Sequence, residues 1–181
     1  MRLLMAIMSS ILLFSCSSSN QLEHEQVVVD KFPETWAGVW SGDLSIYKNG
    51  KQSRTLPMKL SILPQGDSVQ WTIQYDTMDT RPYTLKVVDR EKGVYVVDEH
   101  NTIKLESYLF GNKLISQYTV MDNQITIMEE KKGDTIIFEV LMSKNVPVST
   151  TGGQKVDGEE IPEVMTYPVK IYQKAILKKK G

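Results

Sequence analysis

Few side chains in this 181-residue chain are of the types that carry chemistry, and their placement narrows that chemistry further. Cys16 is the sole cysteine, which removes any intrachain disulfide framework and any thiolate zinc cage. His24 and His100 alone could offer imidazole. His100 lies in Asp98-Glu99-His100-Asn101 and reads as the water-facing tip of a hairpin. The chain has no G-x-S-x-G elbow, no paired His-Glu zinc motif and no phosphate-cradling glycine loop. One acid remains. Glu129 shares parity with Ile125 and Ile127, so it could point into an apolar interior and carry a raised pKa. Glu130-Lys131-Lys132 follows directly, and the simpler reading is the solvated end of a strand, because charges stay in water. The expectation is a protein without catalysis, cofactor or bound metal.

The elements that position these residues are strands. From Trp36 onward apolar residues recur with period two, and helical periodicity is nearly absent. Val69-Gln70-Trp71-Thr72-Ile73-Gln74-Tyr75 alternates without a fault between Pro64-Gln65-Gly66-Asp67 and Asp76. Asn49-Gly50, Lys92-Gly93, Gly111-Asn112, Asp122-Asn123 and Gly133-Asp134 mark tight hairpin connections. About ten such strands follow one another up to the stretch Tyr167–Leu177. An open sheet of that size would leave two edges, whereas closure removes them, so the fold is read as an all-β, antiparallel, up-and-down β-barrel of about eight to ten strands. A two-sheet sandwich is the alternative, but its crossovers need longer connections. The domain is placed at residues 34–178, with one long connection at 145–165 that could cover the outer wall or form a flap over the mouth. Outward Val88, Val94, Val96, Phe110, Ile115, Ile137 and Leu141 are more apolar than a wetted wall needs.

Parity also proposes a lining. If Trp40, Leu44, Leu60, Ile73, Leu114 and Phe138 face inward, so do Tyr75, Tyr83, Tyr95, Ser107, Ser116, Tyr118 and Gln173. A hollow of aliphatics, phenols, hydroxyls and one amide suits a small apolar or amphipathic molecule. The rival reading is a barrel filled by its own large side chains, working through its outside as an interaction or structural protein. Lys and Arg number 21 against 22 Asp and Glu, which gives no positive field for a phosphate backbone. Nucleic acid is not expected as a partner, and Lys178-Lys179-Lys180 reads as a solvated tail.

Met1-Arg2 precedes an uncharged stretch from Leu3 to Phe14, too short to span ~30 Å of hydrocarbon. It ends in Leu13-Phe14-Ser15-Cys16, which resembles the lipobox of bacterial lipoproteins. That resemblance implies a signal peptide at residues 1–15, cleavage before Cys16, and lipid on the new N-terminal cysteine as a membrane anchor. Acyl chains hold by about 0.8 kcal/mol per buried methylene. No Asp follows Cys16, which in such lipoproteins looks like release to the outer membrane of the cell envelope. Ser17-Ser18-Ser19-Asn20 opens a flexible tether assigned to residues 16–33.

Gly38-Val39-Trp40-Ser41-Gly42 stands at the start of the first strand. This G-x-W-x-G resembles the calycin group, whose lipocalin members carry G-x-W on strand one, and it is similar to the nitrobindin-type and fatty-acid-binding-like barrels. The resemblance implies a barrel plugged at one end, with Gly38, Trp40 and Gly42 forming the plug. A large indole can fill a mouth where strand side chains cannot meet, and Gly38 lets the chain come close to it. The lipocalin likeness further implies a basic residue of the last strand over the indole, here Lys170 or Lys174. The haem site of nitrobindin-type barrels uses a histidine near the C-terminal end, and none follows His100.

Overall fold

A computed structural model describes residues 31–181 of the chain. The expected signal peptide, Cys16 and most of the expected tether lie outside the described residues. Alternation resolves into nine consecutive strands: β1 (Gly38–Lys48), β2 (Lys51–Gln65), β3 (Ser68–Tyr75), β4 (Arg81–Asp89), β5 (Val94–Asp98), β6 (Lys104–Phe110), β7 (Lys113–Val120), β8 (Asn123–Lys132) and β9 (Thr135–Lys144). Four short strands follow, β10 (Ser149–Thr151), β11 (Lys155–Val156), β12 (Glu159–Glu160) and β13 (Val164–Thr166), and then the long β14 (Val169–Lys179). β1 to β9 pair in order, β9 pairs with β14, and β14 closes on β1, all antiparallel. The protein is thus an all-β, closed, ten-stranded up-and-down barrel, and closure leaves its wall no free edge.

Register carries one inward row around the wall. Trp40 sits opposite Leu60, and Leu60 opposite Ile73; on the far side Leu44 faces Ala175, and Ala175 faces Phe138. These side chains are buried, while the alternate positions carry charge into water, as in the Lys86–Asp98 and Lys174–Glu139 ion pairs. The β1–β2 hairpin turns at Asn49 and Gly50, both with positive φ, the backbone a tight primed turn requires.

The connection from 145 to 167 is neither structureless nor a cover. β10 pairs with β13 and β11 with β12, making a two-stranded arm whose residues are all exposed. The arm does not pack on the outer wall, where Val88 and Phe110 remain 61% and 66% exposed. Its backbone hydrogen bonds are satisfied within the hairpin, so it keeps a regular conformation with no core contact.

One end of the barrel is sealed. A 3₁₀ turn, Glu34–Trp36, precedes β1 and delivers Phe32 and Trp36 into the core, both fully buried. The Phe32 ring stands edge-on to Trp36 at 4.7 Å and to Tyr95 at 4.9 Å, and both Phe32 and Trp36 reach Trp71 at 6.3 Å. Trp40 is equally buried, and its Nε1 donates to the Trp36 carbonyl at 3.0 Å. Arg90, in the β4–β5 turn, fastens the segment from outside: it donates to the Phe32 carbonyl and binds both Glu34 oxygens, at 2.9 and 3.0 Å. Phe32 and Pro33, assigned by sequence to the tether, are therefore part of the plug.

The glycines of G-x-W-x-G act through β14. A Cβ at Gly42 would stand 2.3 Å from the Ile176 carbonyl oxygen, and one at Gly38, whose φ is +141°, would stand 2.7 Å from Lys179 Cε. Both positions leave room for the last strand to cross the plug. The cation over the indole is accordingly Lys179, with Nζ 5.3 Å from the Trp40 ring. Lys170 and Lys174 do not fill this role. Lys174 points outward and pairs with Glu139 at 3.2 Å, while Lys170 lies at the opposite end of β14.

Candidate ligand cavity

Beyond the plug the inward side chains do not meet. They enclose a hollow of about 250 Å³ that opens toward the β3–β4, β5–β6 and β7–β8 turns. Its apolar wall is made by Trp71, Leu114 and Phe138 with Ile73, Ile127 and Val140, and by Ile125 opposite Tyr118. Tyr75 ends β3, Tyr83 is the third residue of β4 and Tyr118 lies near the end of β7, so three phenols gather toward the mouth. Burial pushes the Tyr75 hydroxyl up to about 12, opposed in part by the Arg81 charge, and burial likewise raises Tyr118. Both are neutral donors at physiological pH. Arg81, the first residue of β4, holds its guanidinium 5.6 Å from the Tyr75 ring centroid, and Glu99 supplies an opposite charge to the same lining.

Five of the seven expected lining residues are brought together here: Tyr75, Tyr83, Ser116, Tyr118 and Gln173. Tyr95 and Ser107 are not. Tyr95 faces inward but stands low on β5, against Phe32, where it belongs to the plug. Ser107 is buried against Ser116, their hydroxyls 2.6 Å apart, and does not reach the hollow. Period two tells which face a side chain takes but not its height along the barrel.

Glu129 overturns the solvated reading. It lines the hollow, is only 5% exposed, and pairs across the sheet with Leu114 on β7 and Phe138 on β9. Loss of water alone moves its pKa, from the ordinary 4.5 up to about 8. Among the described residues no hydrogen bond or ion pair is seen at its carboxyl. β8 continues three residues past it to Lys132, so the charged run Glu130-Lys131-Lys132 still belongs to the strand. Parity with Ile125 and Ile127 was the signal that located it. Arg81 and Glu99 carried the same signal, since each is two residues from an inward residue, Tyr83 and Val97.

His100 sits exposed at its turn, with Nε2 3.0 Å from Thr84 Oγ1 and outside the lining. Among the described residues no group of three or more His, Cys, Asp or Glu could hold a metal ion.

Fold and hollow together define a class: a closed, ten-stranded antiparallel barrel, consistent with a calycin-like one, plugged at one end by indoles and open at the other. No protein-family model matches the chain, and no curated protein matches it.

Proposed function

We propose that this barrel holds one small amphipathic molecule, without catalysis, as the soluble part of a lipoprotein anchored to the cell envelope through Cys16. The observation that carries the reading is the hollow itself, hydrocarbon and aromatic at its base and phenolic toward its mouth. At about 250 Å³ it has the liquid volume of roughly eight waters at ~30 Å³ each, which suits a compact molecule rather than a two-chain lipid. The lining carries two carboxyls, Glu129 within and Glu99 toward the mouth, and no His, Cys or Lys to pair with them as base or nucleophile, which favours retention over turnover.

Native mass spectrometry on the chain expressed without its first sixteen residues is expected to show a one-to-one organic adduct. Ile127→Trp, which pushes an indole into the hollow, should lose that adduct and still unfold cooperatively. An empty wild type, or an adduct that survives Ile127→Trp, would remove the reading. The anchor and its site, expected in the outer membrane, rest on the sequence alone. Metabolic labelling with an acyl probe should mark the wild type and spare Cys16→Ala; equal labelling of the two would refute lipidation.

The arm at 145–167 supports a second role, contact with another envelope protein, because Val146, Val148, Val164 and Met165 are exposed on it.

A further inference from the structure

Glu129 is costly where it stands. The wall around it is otherwise built of Ile125, Ile127, Leu114 and Phe138, and any of these residue types would serve the barrel better at that position. Glu129 is only 5% exposed and faces a hollow, and among the described residues no hydrogen bond or ion pair is seen at its carboxyl; Lys131, two residues along β8 on the same face, lies outside the lining, so something entering the hollow could supply the counter-charge. The surfaces around it are aromatic. Trp71, Phe138, Tyr75, Tyr83 and Tyr118 present ring systems to the same space, and such rings attract organic cations. The lining near the mouth carries Arg81 and Glu99, one charge of each sign, so entry of a cation meets no net repulsion.

On the reading given above, we infer that the occupant is a small organic amine, its ammonium paired with Glu129 and its apolar body lying among the rings. The amine arrives protonated, as it is in water. Glu129 holds its proton while the hollow is empty, and pairing sends that proton to solvent, leaving carboxylate against ammonium. The titratable groups that sense Glu129 are Tyr75 on β3 and Tyr118 on β7, both raised chiefly by burial, so neither takes part in this exchange at neutral pH. Leu114 and Phe138, which flank Glu129 on the two adjoining strands, carry no charge.

Three probes of one shape test the assignment by calorimetry and by backbone amide shifts: tryptamine, neutral 3-ethylindole and anionic indole-3-propionate. Tryptamine is expected to bind at least tenfold more tightly than 3-ethylindole, with indole-3-propionate weakest. Titrations at pH ~7 in two buffers of different ionisation enthalpy should show release of about one proton per tryptamine. Glu129→Gln should erase the preference while keeping the affinity for 3-ethylindole. Glu129→Met, suited to the apolar wall, provides the same comparison should the amide misfold. Equal or tighter binding of the neutral or anionic probe, or a preference that survives removal of the carboxyl, overturns the amine. Either result leaves the cavity reading intact, because the adduct and its loss in Ile127→Trp are read without any probe. If no probe binds, the amine falls, and the adduct alone decides the cavity reading.

Discussion

Trp40→Ala is expected to destabilise the barrel by about 3–5 kcal/mol, a fall of roughly 10 °C in the unfolding midpoint for a domain of this size. The ring is wholly buried, and its removal leaves a void between β1, β2 and β14. A closed barrel has little freedom to collapse onto such a void, because moving one wall strains hydrogen bonds all the way round. Two further contacts go with the ring. The Trp36 carbonyl loses its donor at 3.0 Å, and the Lys179 ammonium loses the face it covers at 5.3 Å. Trp40→Phe keeps most of the apolar area but orphans that carbonyl, and should cost about 1–3 kcal/mol. Lys179→Met keeps the stem and removes only the charge, for about 0.5–1 kcal/mol at an exposed position. Urea unfolding followed by far-ultraviolet circular dichroism ranks the three. Should Trp40→Ala cost no more than Lys179→Met, the indole does not hold the closed end together.

The ranking also shows which part of the plug was legible beforehand. Trp40 announced itself through G-x-W-x-G and through parity with the strands beside it. Phe32 had no such signal, since it sits before the alternation begins; Trp36 opens the alternation but precedes β1, and only the 3₁₀ turn and Arg90 bring the two together inside. Lys179 shares parity with Ala175 and Leu177, both buried. The apolar pattern of the last strand stops at Leu177, whereas pairing with β1 continues to Trp40 opposite Lys179.

The wall itself was readable because each strand meets solvent on one side and core on the other, so hydrophobicity alternates. Height was not readable. Tyr95 and Tyr83 have the same parity, yet one packs on Phe32 and the other lines the hollow, a difference set by stagger between strands and not by either sequence. The arm escaped for a related reason. Its strands have no buried face, so no alternation marks them, and only Gly152, Gly153 and the Asp157–Gly158 turn, all at positive φ, betray its hairpin form.

Glu129 is where the two signals disagreed, parity pointing inward and neighbouring charge outward, and its pH response separates them quantitatively. A carboxyl whose pKa rises on folding binds its proton more tightly in the folded state. Its contribution is favourable in acid, declines once the unfolded chain ionises at 4.5, and stops declining above about 8. At ~1.36 kcal/mol per pH unit this amounts to about 5 kcal/mol lost between those limits. Glu129→Gln has nothing to ionise, so the variant should fall behind or match the wild type near pH 4.5 and overtake it by several kcal/mol near pH 9. Any cost of burying the amide is constant with pH and leaves the slope alone. Asp98, Asp122, Glu130 and Glu139, held below the usual carboxylate range chiefly by hydrogen bonds from Lys86, Lys144, Lys132 and Tyr172 respectively, lose stability in the opposite direction, as pH falls. They are common to both proteins and cancel in the difference. Urea unfolding of the pair across that range gives the result directly. Parallel curves would mean that Glu129 meets water or a cation in the folded protein. A wild-type curve that flattens when tryptamine is added, with no change in Glu129→Gln, would show the missing counter-charge arriving with the ligand.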